Sequence, residues 1–168
     1  AVFETLQTGI KELDLILDGG IRYPRDTAAF VFITGGPGTG KTILGLEMVT
    51  RAWLARAEGD GVFLFYSVEQ TPRDLQRKLE GDFGGYFGCE RNVRVVEDGL
   101  LGKVRIEVDA PGGGVNRLLL LQANPAALQV EGGTRGRPAV DIEWIQAEIG
   151  NLARVDNVVL ACIDNVGL

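Results

Sequence analysis

Four runs of apolar, β-favouring residues mark the chain: AAFVFIT at 28–34, GVFLFYSV at 61–68, LLLL at 118–121 and NVVLACID at 157–164. Their apolar positions are continuous rather than alternating, the pattern of strands covered on both faces in a mostly parallel sheet. Between the runs the period lengthens to that of a helix. Through TILGLEMVTRAWLARAEG, Leu46, Val49 and Trp53 fall on one side, and Gly59 supplies a stop. TPRD opens a second helix, with Thr71 as cap, Pro72 in the first turn, Asp74 reaching back, and Leu75 and Leu79 on one face. A third, through VDIEWIQAEIGNLARVDN, sets Ile142, Ile145, Ile149 and Leu152 in one stripe. Strands alternating with helices predict an α/β, doubly wound sheet with helices on its faces.

One stretch breaks the alternation. Val93, Val95, Val104, Ile106 and Val108 alternate with polar residues on either side of EDGLLGK, which predicts an antiparallel hairpin inserted between helix and strand, closed by the Gly-rich loop at 111–114. A second Gly-rich loop, QVEGGTRGRPAV, carries Arg135 and Arg137 and reads as solvated. Phe83, Tyr86 and Phe87 read as core or interface packing. Arg73, Arg77 and Lys78 read as a small solubilising face.

Composition narrows the chemistry. The 168 residues suit one domain with a continuous core, and 45% hydrophobic with 24% charged residues is the balance of an ordinary globular protein. With 17 basic against 23 acidic residues the net charge is -6, which disfavours a broad nucleic-acid footprint. There is no histidine, so any general base must be a carboxylate, lysine, tyrosine or cysteine. Cys89 and Cys162 lie outside any metal or disulfide spacing, as expected of a reduced, cytoplasmic setting. No apolar run approaches the ~18 residues of a membrane span, and AVFETLQTG lacks the features of a signal peptide.

The strongest signal is GGPGTGKT. Gly35, four residues, then Gly40-Lys41-Thr42 is the full G-x-x-x-x-G-K-[ST] spacing, with an apolar run before it and helical periodicity after. Gly35, Gly36, Pro37, Gly38, Thr39, Gly40, Lys41, Thr42 and Ile43 are therefore the expected nucleotide-binding residues. Glycines let successive backbone N–H groups curl around phosphate oxygens, and the helix N-terminus adds free donors. Lys41 is suited to the β- and γ-phosphates of ATP, and Thr42 to Mg2+. The run VVLACID ends in Asp164, which has the form of the strand that delivers a carboxylate to the same metal, although such a run also ends many ordinary strands. Cys162 within it reads as a small buried hydrophobe.

TGIKELDLILDGGI near the start, the loop GGPGTGKT, VEQTPRDL and VVLACID together resemble the RecA-type ATPases, above all the KaiC branch, with RadA-type repair proteins further off. The resemblance implies a single RecA-like domain over 1–168 that binds ATP between neighbouring subunits of a homo-oligomeric ring, often a hexamer. It implies that Glu69, past the end of 61–68, activates the attacking water. KaiC-like members carry two consecutive glutamates before TP, whereas this chain has Glu69-Gln70, and an amide cannot accept a proton as a carboxylate does. RecA-like cores also continue with further strands, whereas this sequence ends four residues after Asp164, so the domain is expected to be C-terminally incomplete and no trans-acting Arg or Lys finger is assigned. Three activities follow: hydrolysis of ATP to ADP and phosphate, with Lys41 and Glu69 catalytic; autokinase transfer; or a nucleotide-gated signalling and assembly module with little turnover. A RadA-type DNA recombinase is disfavoured by a pI of about 4.7.

Overall fold

The computed structural model describes residues 2–25, 27, 31–82, 92–96, 102–122 and 142–164. Elements follow in the order β1 (Phe3–Leu6), α1 (Lys11–Ile16), β2 (Ile21–Pro24), α2 (Lys41–Ala55), β3 (Gly61–Ser67), α3 (Pro72–Arg77), a π-helical turn (Lys78–Asp82), β4 (Val93–Val96), β5 (Lys103–Asp109), β6 (Val115–Gln122), α4 (Ile142–Val155) and β7 (Asn157–Asp164). Phe83, Tyr86, Phe87, Cys89, Arg135 and Arg137 lie outside the described residues.

The main sheet has the order β4-β5-β6-β3-β7. β3 pairs in parallel with both β6 and β7, whereas β5 pairs antiparallel with β4 and β6. The sheet is thus half parallel, not mostly so. The reason is the short connection at 110–114, where Ala110 N–H donates to Gly114 O at 3.0 Å and Gly113 and Gly114 take φ of 93° and 80°. So few residues can join only antiparallel neighbours. The residues between β4 and β5, 97–101, lie outside the described ones.

Helices cover both faces, which explains the unbroken apolar runs. In β6, Leu118 and Leu120 enter a cluster with Leu46, Val49 and Trp53 of α2, Leu75 and Leu79, while Leu119 and Leu121 enter a second cluster with Ile145 of α4. In β3, Phe63 and Phe65 face the first cluster, and Val62, Leu64 and Tyr66 the second. β7 carries an irregularity: Val62 pairs with Val158, but Phe63 pairs with Leu160, skipping Val159.

Two local expectations need correction. Residues 31–34 form no strand, and Val31, Phe32 and Ile33 are 55%, 82% and 39% exposed. Residues 28–30 of that run lie outside the described ones. An apolar run encodes a preference for burial but not a ladder partner, and none of the described strands offers one to 31–34. Helix α2 ends at Ala55, with Arg56 as cap, so Gly59 is not its stop. A Cβ on Gly59 would lie 2.3 Å from Gly113 O, so this glycine serves the close approach of the loop to the β5–β6 turn.

The N-terminal segment forms a two-stranded antiparallel unit, β1 with β2, that no periodicity predicts. Its polar centre is Asp14, whose Oδ1 accepts from Thr8 N and Thr8 Oγ1, both at 2.7 Å, and whose Oδ2 accepts from Gly9 N at 3.1 Å. Gly9 has φ +75°, and a Cβ there would lie 2.4 Å from Cβ of Arg51. The TGI…LD motif is therefore a tight turn held against α2.

Candidate functional site

Parallel strands β3 and β7 end side by side, with Ser67 paired to Asp164. Helix α2 starts beside that end. Gly40 precedes it with φ +83°, a left-handed conformation suited to glycine, and Gly38 has φ +75°. A Cβ on Gly35 would lie 2.6 Å from Thr39 Oγ1, so the bend of the loop depends on that glycine as well. Thr39 Oγ1 donates to Gly36 O at 2.8 Å. Lys41 Nζ reaches back over the loop, donating to Gly35 O and Gly36 O at 2.7 Å each, with Thr39 Oγ1 at 3.5 Å. Gly35 through Gly40 are exposed, including Pro37, and Ile43 is 51% exposed.

The decisive contact joins segments far apart in sequence. Thr42 Oγ1 donates to Asp164 Oδ1 at 3.1 Å, across a sequence separation of 122 residues. Asp164 is half-buried, and burial raises its carboxyl pKa; the Thr42 hydrogen bond opposes this, the Glu69 charge adds to it, and Lys41 and Lys78 counter it. Lys41, Thr42, Glu69 and Asp164 thus share one electrostatic neighbourhood. Behind Asp164, burial pushes the Cys162 thiol up to about 12, which suits a packing role rather than reactivity.

Glu69 is exposed on the bend at 68–70, directly beyond β3. The bend is closed by Gln70 N–H donating to Ser67 Oγ at 3.1 Å, while Gln70 Oε1 is buried with no hydrogen-bond partner among the described residues. Helix α3 starts at once, because Thr71 Oγ1 accepts from Asp74 N at 3.2 Å and donates to Asp74 Oδ2 at 2.7 Å, with Pro72 in its first turn.

The donor set fits magnesium. Among the described residues no group of three or more His, Cys, Asp or Glu could hold a metal ion. What converges is one hydroxyl and one carboxylate, hard oxygen ligands too few for an all-protein cage. They suit a small cation that keeps waters and takes phosphate oxygens for the rest of its shell.

Sequence reasoning missed two contributors. Lys78, read as solubilising, carries a charge that favours the ionised Asp164 carboxyl, the smallest of the influences on it. Gly45 lets α2 settle on β7, since a Cβ there would lie 2.9 Å from Cys162 Sγ. The spacing of Lys78 two helical turns beyond the Thr71 cap is a signal that could have found the first. Nothing in the sequence pairs Gly45 with Cys162.

A five-stranded sheet flanked by helices, with a glycine loop leading into a helix beside two parallel strand ends, is consistent with a RecA-like ATPase fold. Residues 6–88 match the family model described as the KaiC ATPase, a likeness that supports a KaiC-like ATPase domain. The chain is 39% identical over 115 residues to a UPF0273 protein of Methanopyrus kandleri, a match covering 68% of this chain and 38% of that protein. It is 40% identical over 75 residues to a UPF0273 protein of Saccharolobus solfataricus, covering 45% of this chain and 24% of that protein. The matches thus span well under half the length of either relative. No solved structure matches the chain. Among the described residues, no helix is long and apolar enough to cross a membrane.

Proposed function

We propose that this chain forms one RecA-like domain that binds Mg·ATP in the loop 35–43 and hydrolyses it to ADP and phosphate. The observation carrying the reading is the 3.1 Å contact between Thr42 and Asp164, because it unites the helix after the loop with the carboxylate strand at one point. Thr42 and Asp164 would hold Mg2+, which when bound neutralises phosphate charge. Backbone N–H groups of the loop orient the phosphates, and Lys41 exchanges its loop carbonyls for phosphate oxygens. Glu69 takes the proton of the attacking water, as one carboxylate without a second beside it. The site is proposed to lie between neighbouring copies in a homo-oligomeric ring, in the cytoplasm.

Glu69→Gln tests the catalytic part. Turnover should fall by ~100-fold or more while ATP affinity stays within about twofold of wild type. Unchanged turnover would remove Glu69 from the chemistry. The exposure of Glu69 and the presence of Gln70 beside it favour a second reading, a nucleotide-gated assembly module with slow turnover. Nucleotide-dependent assembly with no released phosphate would support it, and radiolabel transferred to the protein itself would indicate autokinase chemistry instead.

A further inference from the structure

Helix α4 is seated less firmly than α2. Leu46, Met48, Val49, Ala52 and Trp53 of α2 are buried, whereas among the described side chains of α4 only Ile145 is, with Ile149 and Leu152 partly covered. Glu148 stands in that same stripe, three residues after Ile145 and four before Leu152, and so faces the sheet. Opposite it, the register sets Ile163, Tyr66, Leu121 and Lys103 in one row across β7, β3, β6 and β5. The first three belong to the cluster under α4, and Lys103 shares their face because Val104 belongs to the other cluster. Tyr66 is 0% exposed, and its hydroxyl and Glu148 Oε2 are both buried without a hydrogen-bond partner among the described residues. A phenol and a carboxyl are thus enclosed between α4 and the sheet.

Each bears on the other's protonation. Burial, and then the Glu148 charge, raises the pKa of the Tyr66 hydroxyl, which keeps its proton. Burial raises that of the Glu148 carboxyl, while the Lys103 charge and the Tyr66 hydroxyl oppose it. The other charged groups on this face are engaged elsewhere: Arg105 lies 3.5 Å from Glu107 on β5, and Arg117 of β6 pairs with Asp156 at 3.0 Å toward the opposite end of the strands. On α4 itself Glu143 and Arg154 are exposed.

We propose that Glu148 is a proton-operated latch for α4: neutral, it donates to Tyr66 Oη and the helix stays on the sheet, and ionised, it loosens the helix toward water. An ionised carboxylate under the helix bears a desolvation cost that undocking relieves. Because the folded pKa is raised, the docking contribution is complete below the unfolded value and is lost as pH rises through the folded one. Asp156 alone separates α4 from β7, so a loosened α4 uncovers one face of the strand that ends in Asp164. The latch does not depend on the function proposed above.

Amide hydrogen exchange of the chain, read as protection of 142–155 relative to 41–55 and corrected for intrinsic rates, tests it. Between about pH 4.5 and pH 8 the wild-type ratio should fall roughly threefold to tenfold. Glu148→Gln should hold the acidic ratio throughout. Lys103→Gln should move the fall to higher pH, and Tyr66→Phe, by removing the donor to the ionised carboxylate, should enlarge it. A wild-type ratio independent of pH, or a fall that persists in Glu148→Gln, would overturn the latch. A smaller fall in Tyr66→Phe would overturn its pairing with Tyr66.

Discussion

Gly45 offers a test of how the loop helix is seated. Alanine at an interior helix position is ordinarily worth about 1 kcal/mol more than glycine. Here the added Cβ would lie 2.9 Å from Cys162 Sγ and 3.6 Å from Phe65 Cε2. The first distance is about 0.6–1 Å short of van der Waals contact. Phe65 is fully buried behind it, so the core cannot give freely and α2 must lift from β7. Overpacking costs about 1–3 kcal/mol, so Gly45→Ala should be net destabilising by ~1 kcal/mol despite its helix preference. Cys162→Ala alone should cost ~1 kcal/mol for the lost sulfur. In the double variant the new methyl fills the space the sulfur leaves, so stability should return to that of wild type, a coupling of ~2 kcal/mol by urea unfolding. Thr42 sits one turn before Gly45, and Asp164 follows Cys162 on β7, so the lifted helix should also separate the Thr42–Asp164 pair. The stabilisation conferred by Mg·ATP should accordingly fall in Gly45→Ala and return in the double variant. Strictly additive single effects would refute the seating.

Two other predictions concern the strand ends. Because burial raises the Asp164 pKa, the folded protein holds that proton more firmly than the unfolded chain; the associated stability is complete below the unfolded value and is lost as pH rises through the folded one. Asp164→Asn keeps a partner for Thr42 and removes that loss, so without divalent cations its melting temperature should match wild type near about pH 4 and exceed it near neutrality. A variant that melts lower at neutral pH would contradict this, and Mg2+ should stabilise only the wild type in the presence of ATP. Asn116, 1% exposed, accepts from Gly61 N at 3.0 Å and donates to Arg56 O at 3.2 Å, tying the end of α2 to the start of β3. Asn116→Ala orphans both backbone groups and should lower unfolding free energy by ~3 kcal/mol in urea, whereas a loss under ~1 kcal/mol would mean water replaces the amide.

Local chemistry was legible in the sequence and spatial partnership was not. TPRD specified its own helix start because every atom of a cap comes from neighbouring residues. LLLL read correctly as strand because both its faces are covered, yet its direction relative to 103–109 followed from the five-residue turn at 110–114, read only as a loop closing the hairpin. The run at 28–34 had the same apolar character and still formed no strand over 31–34, since composition does not name a ladder partner. The loop glycines, Lys41, Thr42 and Asp164 were legible as candidates because phosphate and magnesium chemistry demands those groups at those spacings. That Thr42 and Asp164 meet is a property of the fold, which no local spacing encodes.

The skipped pairing at Val159 has a consequence for Asp164 that is a matter of parity. Along β7, Val158 points to the α4 side, Val159 and Leu160 both to the α2 side, then Ala161 to α4, Cys162 to α2 and Ile163 to α4. Uninterrupted alternation from Val158 would put every even-numbered residue of the strand on the α4 side, Asp164 among them. A single supernumerary residue near the start of the strand inverts the count, and the terminal carboxylate emerges beside Thr42 instead of across the sheet from it. The candidate magnesium position therefore depends on an insertion at the opposite end of β7.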